Sequence, residues 1–278
     1  MDSKPKGRCR SYPVDLLRRL LACLFLLIAL PAFAHDTWLQ PRRSSVLPGT
    51  IAQLDLTSGD KFPTPEFALK PERVATARAR LDGKTSDLSA PAPEKKSVEF
   101  RVALSNPGVA AIWLSLAPQP IQLKGGEVKH YLDEIDAPAA IRQAWASAKG
   151  SRQWREVYSK HAKTFVRVGQ PKADNSWNQP VGLPLEIVPE KDPTSLRAGD
   201  EFPVRVLKNG APLADFSLGI VREGSSLRSF QKTDAKGHVA FKVGRSGRWL
   251  LRGTELRNST KPATEWESDF TTLTFDVH

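Results

Sequence analysis

The chain is poor in the residues that crosslink proteins or bind soft metal ions. It has two cysteines, Cys9 and Cys23, in 278 residues, and its one methionine is Met1. Both cysteines lie in the first 34 residues, so the rest of the chain can form neither a disulfide nor a cysteine-based zinc site. A methionine-rich copper(I) surface is excluded as well. Residues 35–278 must therefore be stabilised by a hydrophobic core.

Motifs of catalysis and of nucleic-acid binding are also missing. The sequence has no Gly-x-Ser-x-Gly, no glycine-rich phosphate loop and no His-Glu-x-x-His, so we expect a protein that is not an enzyme. Its formal charge is +11, but the basic residues alternate with acids and form no aromatic and basic module. We therefore expect no nucleic acid as a partner. Anionic head groups or cell-envelope polymers fit a basic surface better.

The first 34 residues have the organisation of a secretory signal peptide. Six basic and two acidic side chains accompany the apolar run 20–30, and Ala32, Phe33 and Ala34 match the small-x-small cleavage pattern. The run is shorter than the about 20 residues that a membrane-spanning helix needs. We predict cleavage after Ala34, a periplasmic or secreted protein without an integral span, and a fall in formal charge from +11 to +7.

Apolar residues alternate with a period of two over most of residues 35–278. Segments such as "SVEFRVAL" (97–104) and "EFPVRVL" (201–207) place their apolar side chains on one face, and turn signals separate them. The pattern predicts a mainly β fold with two antiparallel β-sandwich domains, of immunoglobulin-like or transthyretin-like type. The proline-rich stretch 182–200 places the boundary near Pro189, which gives an N-terminal domain 35–189 and a C-terminal domain 190–278.

One segment departs from this alternation. Apolar residues recur at spacings of three and four in two runs, 141–148 and 154–161. We predict a short helical insertion around 138–161 in the first domain, with His161 on the apolar stripe of its second helix.

Cleavage after Ala34 would make His35 the first residue of the mature protein. An N-terminal histidine offers its α-amine and a ring nitrogen to one metal ion, a pair that suits nickel, cobalt or copper. The amine loses its proton near a pH of about 7.7–8.0, so affinity should rise with pH. Asp36 is a weaker candidate, as a carboxylate that orients the ring. The alternative is that His35 merely follows a cleavage site, and no spacing identifies a second ligand.

Several motifs carry a family resemblance along the whole mature chain. They include "HDTWLQP" (35–41), "YLDEI" (131–135), "REVYSKHAKTFVRVG" (155–169), "TDAKGHVAF" (233–241) and "WESDFTTLTF" (266–275). Together they resemble an exported bacterial family of unknown function that is related to the substrate-specific component of nickel-uptake systems, the NikM-like periplasmic proteins. The resemblance implies metal capture by the N-terminal histidine segment, in which the matching residue is His35. A metal-transport membrane component would then be the partner.

The sequence therefore leads to one main hypothesis and two alternatives. The main hypothesis is a soluble periplasmic protein that binds a divalent transition-metal ion through His35 and assists its uptake or delivery. The first alternative is a non-catalytic module for binding or adhesion at the cell envelope. The second is a copper oxidase with an N-terminal histidine brace, which would need another histidine close to His35.

Overall fold

The described residues form three β-sheets and two short α-helices. The computed structural model describes residue 1 and residues 35–147, 153–170, 175–225, 229–261 and 265–278. Apart from Met1, the predicted signal peptide with its Ala32, Phe33 and Ala34 cleavage pattern lies outside the described residues. The described residues from His35 to His278 belong to one compact unit. No helix within the described ranges is long and apolar enough to cross a membrane.

The first sheet has four antiparallel strands and opens the folded unit. Its order is β1-β3-β7-β6, with β1 Asp36–Pro41, β3 Thr50–Gly59, β7 Val98–Leu104 and β6 Ala92–Pro93. The outer edge of β1 is not left unpaired. The hydroxyls of Thr272 and Thr274 donate to the carbonyls of Thr37 and Leu39 at 2.7 and 2.5 Å. These bonds satisfy backbone acceptors that an edge strand would otherwise bury without partners.

The second sheet is the largest and combines strands from both halves of the chain. Its strands are β2 Ser45–Val46, β4 Val74–Leu81, β5 Lys84–Asp87, β8 Gly108–Leu123, β9 Trp154–Val168, β13 Ser217–Arg222, β14 Ser229–Lys232, β16 Gly247–Asn258 and β17 Trp266–Val277. The order is β14-β13-β16-β17-β9-β8-β4-β5, with β2 beside β9. β17 and β9 pair in parallel over residues 266–274 and 156–164, so the sheet is continuous across the predicted boundary near Pro189. The division into domains at that point stays a prediction.

The third sheet is small and antiparallel. It contains β10 Leu185–Pro189, β11 Glu201–Lys208, β12 Ala211–Pro212 and β15 His238–Lys242. β11 and β12 are joined by the turn at Asn209 and Gly210, which have φ angles of 50° and 81°. Glycine and asparagine adopt this left-handed region at the lowest steric cost, which explains the tight Asn-Gly hairpin.

The hydrophobic cores lie on opposite faces of the large sheet. Ala110 and Ile112 of β8 pack with the first sheet, whereas Val109 and Ala111 pack with the third. Likewise Leu250 packs in one cluster with Trp38 of β1. The next residue, Leu251, packs in the core that the large sheet shares with the third sheet. Alternate side chains of one strand thus enter two different cores. The mainly β, sandwich-like fold is confirmed.

The helical insertion is only partly as predicted. The helices are α1 Gly125–Glu134 and α2 Ala139–Ser147, so α2 falls within the predicted run and α1 precedes it. The second predicted helix is wrong, because Trp154–Val168 form β9. That strand pairs with β8 on one side and β17 on the other, and this pairing outweighs the helical spacing of its apolar residues.

Candidate functional site

His35 lies directly before β1, at one end of the first sheet. The antiparallel register pairs Asp36 with Gly59, so the preceding residue comes opposite Asp60. Nδ1 of His35 lies 2.7 Å from Oδ1 of Asp60, with side chains 20% and 50% exposed. Because an ionised carboxylate only accepts hydrogen bonds, the proton of a neutral ring lies on Nδ1 and Nε2 keeps its lone pair.

The loop after β3 folds back against the same imidazole. Ser58 and Phe67 form an isolated bridge, which brings the Phe67 ring to 4.9 Å from the His35 ring, at an angle of 32°. Glu66 Oε2 accepts a hydrogen bond from the Asp60 backbone at 2.7 Å. The imidazole is therefore held between an aromatic ring and a carboxylate whose own backbone is anchored.

Lys160 of β9 holds the backbone of His35 in place through a hydrogen bond. Its Nζ donates to the His35 carbonyl at 2.7 Å and to the Thr37 hydroxyl at 3.2 Å. The ammonium also lies over the rings of Tyr158 and Phe270, at 5.5 and 5.3 Å from their centroids. Burial lowers the pKa of Lys160 to about 8, although nearby Asp36 raises it. This cation orients the residue that would become the mature N-terminus.

The side chain of Asp36 belongs to a buried charged cluster with Arg252 and Glu134. Its Oδ1 lies 2.8 Å from Arg252 Nε, and Glu134 Oε1 lies 3.9 Å from Arg252 Nη2. All three side chains are buried, and Arg252 Nη1 has no hydrogen-bond partner in the part of the chain that the structure describes. The structure thus places Asp36 in an ion pair with Arg252, while the Asp60 carboxylate contacts the His35 ring. A role for Asp36 at the His35 ring stays a prediction.

His161 is a buried histidine with both ring nitrogens engaged. Nδ1 lies 2.9 Å from the Ser115 hydroxyl, and Nε2 lies 3.1 Å from Asp269 Oδ1. Asp269 also accepts from Lys208 and Arg257. Burial alone would raise the pKa of Asp269, but the bonds from His161 and Lys208 outweigh it and hold this pKa well below its ordinary value. His161 links β8, β9 and β17 within the large sheet.

The remaining histidines lie on the surface. His238 of β15 is 37% exposed through its side chain, and its Nδ1 lies 2.9 Å from Glu190 Oε2. His130 of α1 and His278 are exposed. The polar and ring contacts that the structure gives His35, with Asp60, Phe67 and Lys160, include no histidine. These contacts therefore provide no second imidazole for the histidine brace that a copper oxidase would need.

Side chains alone do not complete a metal site. Across the described ranges, no three His, Cys, Asp or Glu side chains cluster closely enough to hold an ion. The His35–Asp60 pair contains two candidate donors, and a free α-amine at His35 would be a third.

The sequence analysis named His35 as a candidate ligand but did not indicate its contacts with Asp60, Phe67 and Lys160. Asp60 follows the apolar strand "TIAQLDL" in a turn-like "SGDK", which gives no sign that β1 pairs with β3 at this register. Lys160 lies in a segment that we predicted to be helical. A helix there gives no reason to expect a contact between Lys160 and His35.

The comparisons with known proteins identify the family. Residues 32–254 match the family model "Domain of unknown function (DUF4198)". The chain belongs to this family. No curated protein matches the chain.

Two of the solved structures that the chain resembles are distant in sequence, at 12% and 14% identity. One is FdeC, described as a novel broadly conserved Escherichia coli adhesin, with 12% identity, a TM-score of 0.21 and coverage of 88% of this chain and 66% of that one. Another is Escherichia coli alpha-2-macroglobulin activated by porcine elastase, with 14% identity, a TM-score of 0.22 and coverage of 86% and 20%. The chain thus spans about two thirds of the adhesin chain and a fifth of the macroglobulin chain.

Proposed function

We propose that this DUF4198 protein is exported and binds a divalent transition-metal ion, nickel, cobalt or copper, at its mature N-terminus. Cleavage after Ala34 would release the α-amine of His35. The ligands would be that amine, His35 Nδ1 and the Asp60 carboxylate. Uptake or delivery of the metal, in partnership with a membrane transport component as in the NikM-like proteins, is the corresponding role.

The observation that carries the proposal is the pairing of His35 Nδ1 with Asp60 Oδ1 at 2.7 Å. Nitrogen and oxygen ligands lie about 2.0–2.2 Å from a bound transition-metal ion. Two ligand atoms that form a right angle at the metal ion are then about 3 Å from each other. This distance is close to that between His35 Nδ1 and Asp60 Oδ1. A metal ion can therefore replace the proton between the two atoms with little movement of either side chain.

The surroundings of His35 support the third donor. Lys160 holds the His35 carbonyl at 2.7 Å, which fixes the residue whose nitrogen becomes the amine. Amine, imidazole and carboxylate donors together suit nickel, copper and cobalt better than calcium or magnesium. Because the amine must lose its proton to bind a metal ion, affinity should increase as the pH rises toward about 8.

The decisive test compares three forms of the exported protein by calorimetry with Ni(II) and Cu(II). The first form starts at His35, the second starts at Ala34, and the third is His35→Ala. The second keeps Nδ1 and Asp60 but has no amine on His35. We expect tight binding by the first form alone.

A matched control separates this site from any surface histidine. His238 and Glu190 form a similar imidazole–carboxylate pair at 2.9 Å, without a neighbouring amine. His238→Ala should leave metal affinity unchanged. A secreted protein whose mature start, measured by mass spectrometry, is not His35 would contradict the proposal, and so would equal binding by the chain that starts at Ala34.

A further inference from the structure

Ser115, His161 and Asp269 form a chain of hydrogen bonds across three neighbouring strands, β8, β9 and β17. The register pairs Ser115 with His161 directly, so their side chains lie on the same face of the large sheet. A hydroxyl, an imidazole and a carboxylate bonded in this order correspond to a nucleophile, its base and the acid that orients the base. The chain of bonds therefore has the composition of a catalytic triad.

The positions of the protons follow from the charge of Asp269. Burial alone would raise the pKa of Asp269, but the bonds from His161 and Lys208 outweigh it and hold this pKa well below its ordinary value. The ionised carboxylate only accepts hydrogen bonds, so Nε2 of a neutral His161 ring carries the proton and Nδ1 keeps its lone pair. The Ser115 hydroxyl then donates to Nδ1, at 2.9 Å. A general base needs this arrangement to take the proton of a hydroxyl.

Ser115 is more accessible than the hydroxyls that join strands. Thr272 and Thr274, which bond to β1, are buried, whereas Ser115 is half-buried. The side chains of His161 and Asp269 are only 2% and 7% exposed. Solvent and small molecules can thus reach the hydroxyl, while the fold keeps its base in a fixed position.

Two β-bulges flank Ser115 in the sheet. β4 departs from its register with β8 between Val74 and Thr76, and Thr76 is the residue opposite Ser115. β8 departs from its register with β9 between Leu116 and Gln119, directly after Ser115. A bulge takes backbone N–H groups out of the regular ladder. N–H groups beside a nucleophile are the donors that stabilise the oxyanion formed in acyl transfer.

We propose that Ser115 is a nucleophile for short acyl esters, with His161 as its general base and Asp269 as the positioning residue. Ser115 Oγ forms a bond to the ester carbonyl carbon while its proton passes to His161 Nδ1. The ester C–O bond then breaks, and the alcohol leaves with that proton. Water, which gives a proton to the same nitrogen, releases the acid and restores Ser115.

The surroundings of Ser115 limit the acyl group to a short one, such as acetyl. The cavities of about 500 and 480 Å³ that described residues line do not include Ser115. A long acyl chain therefore finds no pocket in either of them. The reaction requires no metal ion at His35, so its failure would leave the proposed metal site untouched.

The first test replaces the hydroxyl with a thiol. Residues 35–278 contain no cysteine, so Ser115→Cys gives the exported protein a single thiol. Ser44→Cys is the matched control, because Ser44 is also half-buried and no histidine bonds its hydroxyl within the described ranges. Alkylation by iodoacetamide at pH 7 should be at least about tenfold faster in Ser115→Cys, because the imidazole favours the thiolate. Equal rates in the two variants would overturn the proposal.

Second changes in the Ser115→Cys protein test the base and the positioning residue. His161→Gln should lower the alkylation rate to that of Ser44→Cys. Asp269→Asn should move the pH profile of alkylation to higher pH, because the imidazolium loses its charged partner. An unchanged rate and profile in variants that circular dichroism shows to be folded would overturn the proposal. Where a double variant does not fold, the comparison of Ser115→Cys with Ser44→Cys decides alone.

The unmodified protein tests the reaction itself. A biotinylated fluorophosphonate should label Ser115, as mapped by mass spectrometry. Hydrolysis of p-nitrophenyl acetate should fall at least about tenfold in Ser115→Ala and stay unchanged in Ser44→Ala. The urea midpoint of Ser115→Ala should stay close to that of the parent protein. Labelling of other serines alone, or equal hydrolysis by Ser115→Ala, would overturn the proposal, and faster hydrolysis of p-nitrophenyl decanoate would overturn the assignment to short acyl groups.

Discussion

His35 and His161 each pair with an aspartate, but in opposite environments. The side chains of His161 and Asp269 are 2% and 7% exposed, whereas those of His35 and Asp60 are 20% and 50% exposed. His161 uses both ring nitrogens for bonds within the fold. For the His35 ring, the hydrogen bond found among the described residues is that of Nδ1 with Asp60, directly before β1. The buried histidine–aspartate pair crosslinks strands, because both ring nitrogens of His161 form bonds within the fold. The exposed pair of His35 and Asp60 is a candidate ligand pair, because solvent can reach it.

The largest effect is expected at the buried pair. His161→Ala removes the partners of Ser115 and Asp269 in a desolvated site and leaves a cavity. The free energy of unfolding, measured with urea, should fall by about 3 kcal/mol. His238→Ala is the control on the surface and should cost less than about 0.5 kcal/mol. Equal costs for the two variants would remove the distinction between a structural and an accessible histidine.

At the exposed pair the effect should appear in metal binding and not in stability. His35→Ala should lower Ni(II) affinity about a hundredfold or more, because it removes a direct ligand. Its urea midpoint without metal should match that of the parent protein. His161→Ala should keep the parent affinity where it remains folded. A large loss of stability in His35→Ala would show that His35 is part of the core.

The carboxylates sharpen the comparison further. Asp60→Asn keeps the size of the side chain but removes the charge next to Nδ1, so calorimetric Ni(II) affinity should fall about tenfold. Glu190→Gln changes the corresponding acid of the His238 pair and should leave affinity unchanged. An unchanged affinity in Asp60→Asn would exclude Asp60 as a ligand.

The smallest effect concerns acid stability. The pKa of Asp269 is lowered from its ordinary value of 3.8, so its stabilisation is present above pH 4 and is lost as the pH falls toward the folded-state pKa. At pH 3 the parent protein should have lost about 1 kcal/mol from this group. Asp269→Asn lacks this titration, so the difference in unfolding free energy between the two proteins should shrink by that amount between pH 5 and pH 3. A difference in unfolding free energy that stays constant from pH 5 to pH 3 would contradict the lowered pKa of Asp269.

Local patterns predicted the strands well and the helices less well. The alternation in "SVEFRVAL" and "EFPVRVL" corresponds to β7 and β11, because each strand presents one face to a core. The run 154–161 was misread as helical because Trp154, Val157 and Tyr158 also fit a spacing of three and four. Only the long-range pairing of β9 with β8 and β17 decides between the two, and a local pattern carries no information about such partners.

The sequence by itself determined that the fold is mainly β, that no disulfide can staple residues 35–278, and that His35 follows a cleavage pattern. These features depend on residue type and short spacings. Only the tertiary structure decided that the Asp60 carboxylate meets the His35 ring and that Lys160 holds the His35 carbonyl. Those contacts join residues far apart in the chain, and they depend on strand register and sheet order. A shift of one residue in the pairing of β1 with β3 would turn Asp60 away from His35.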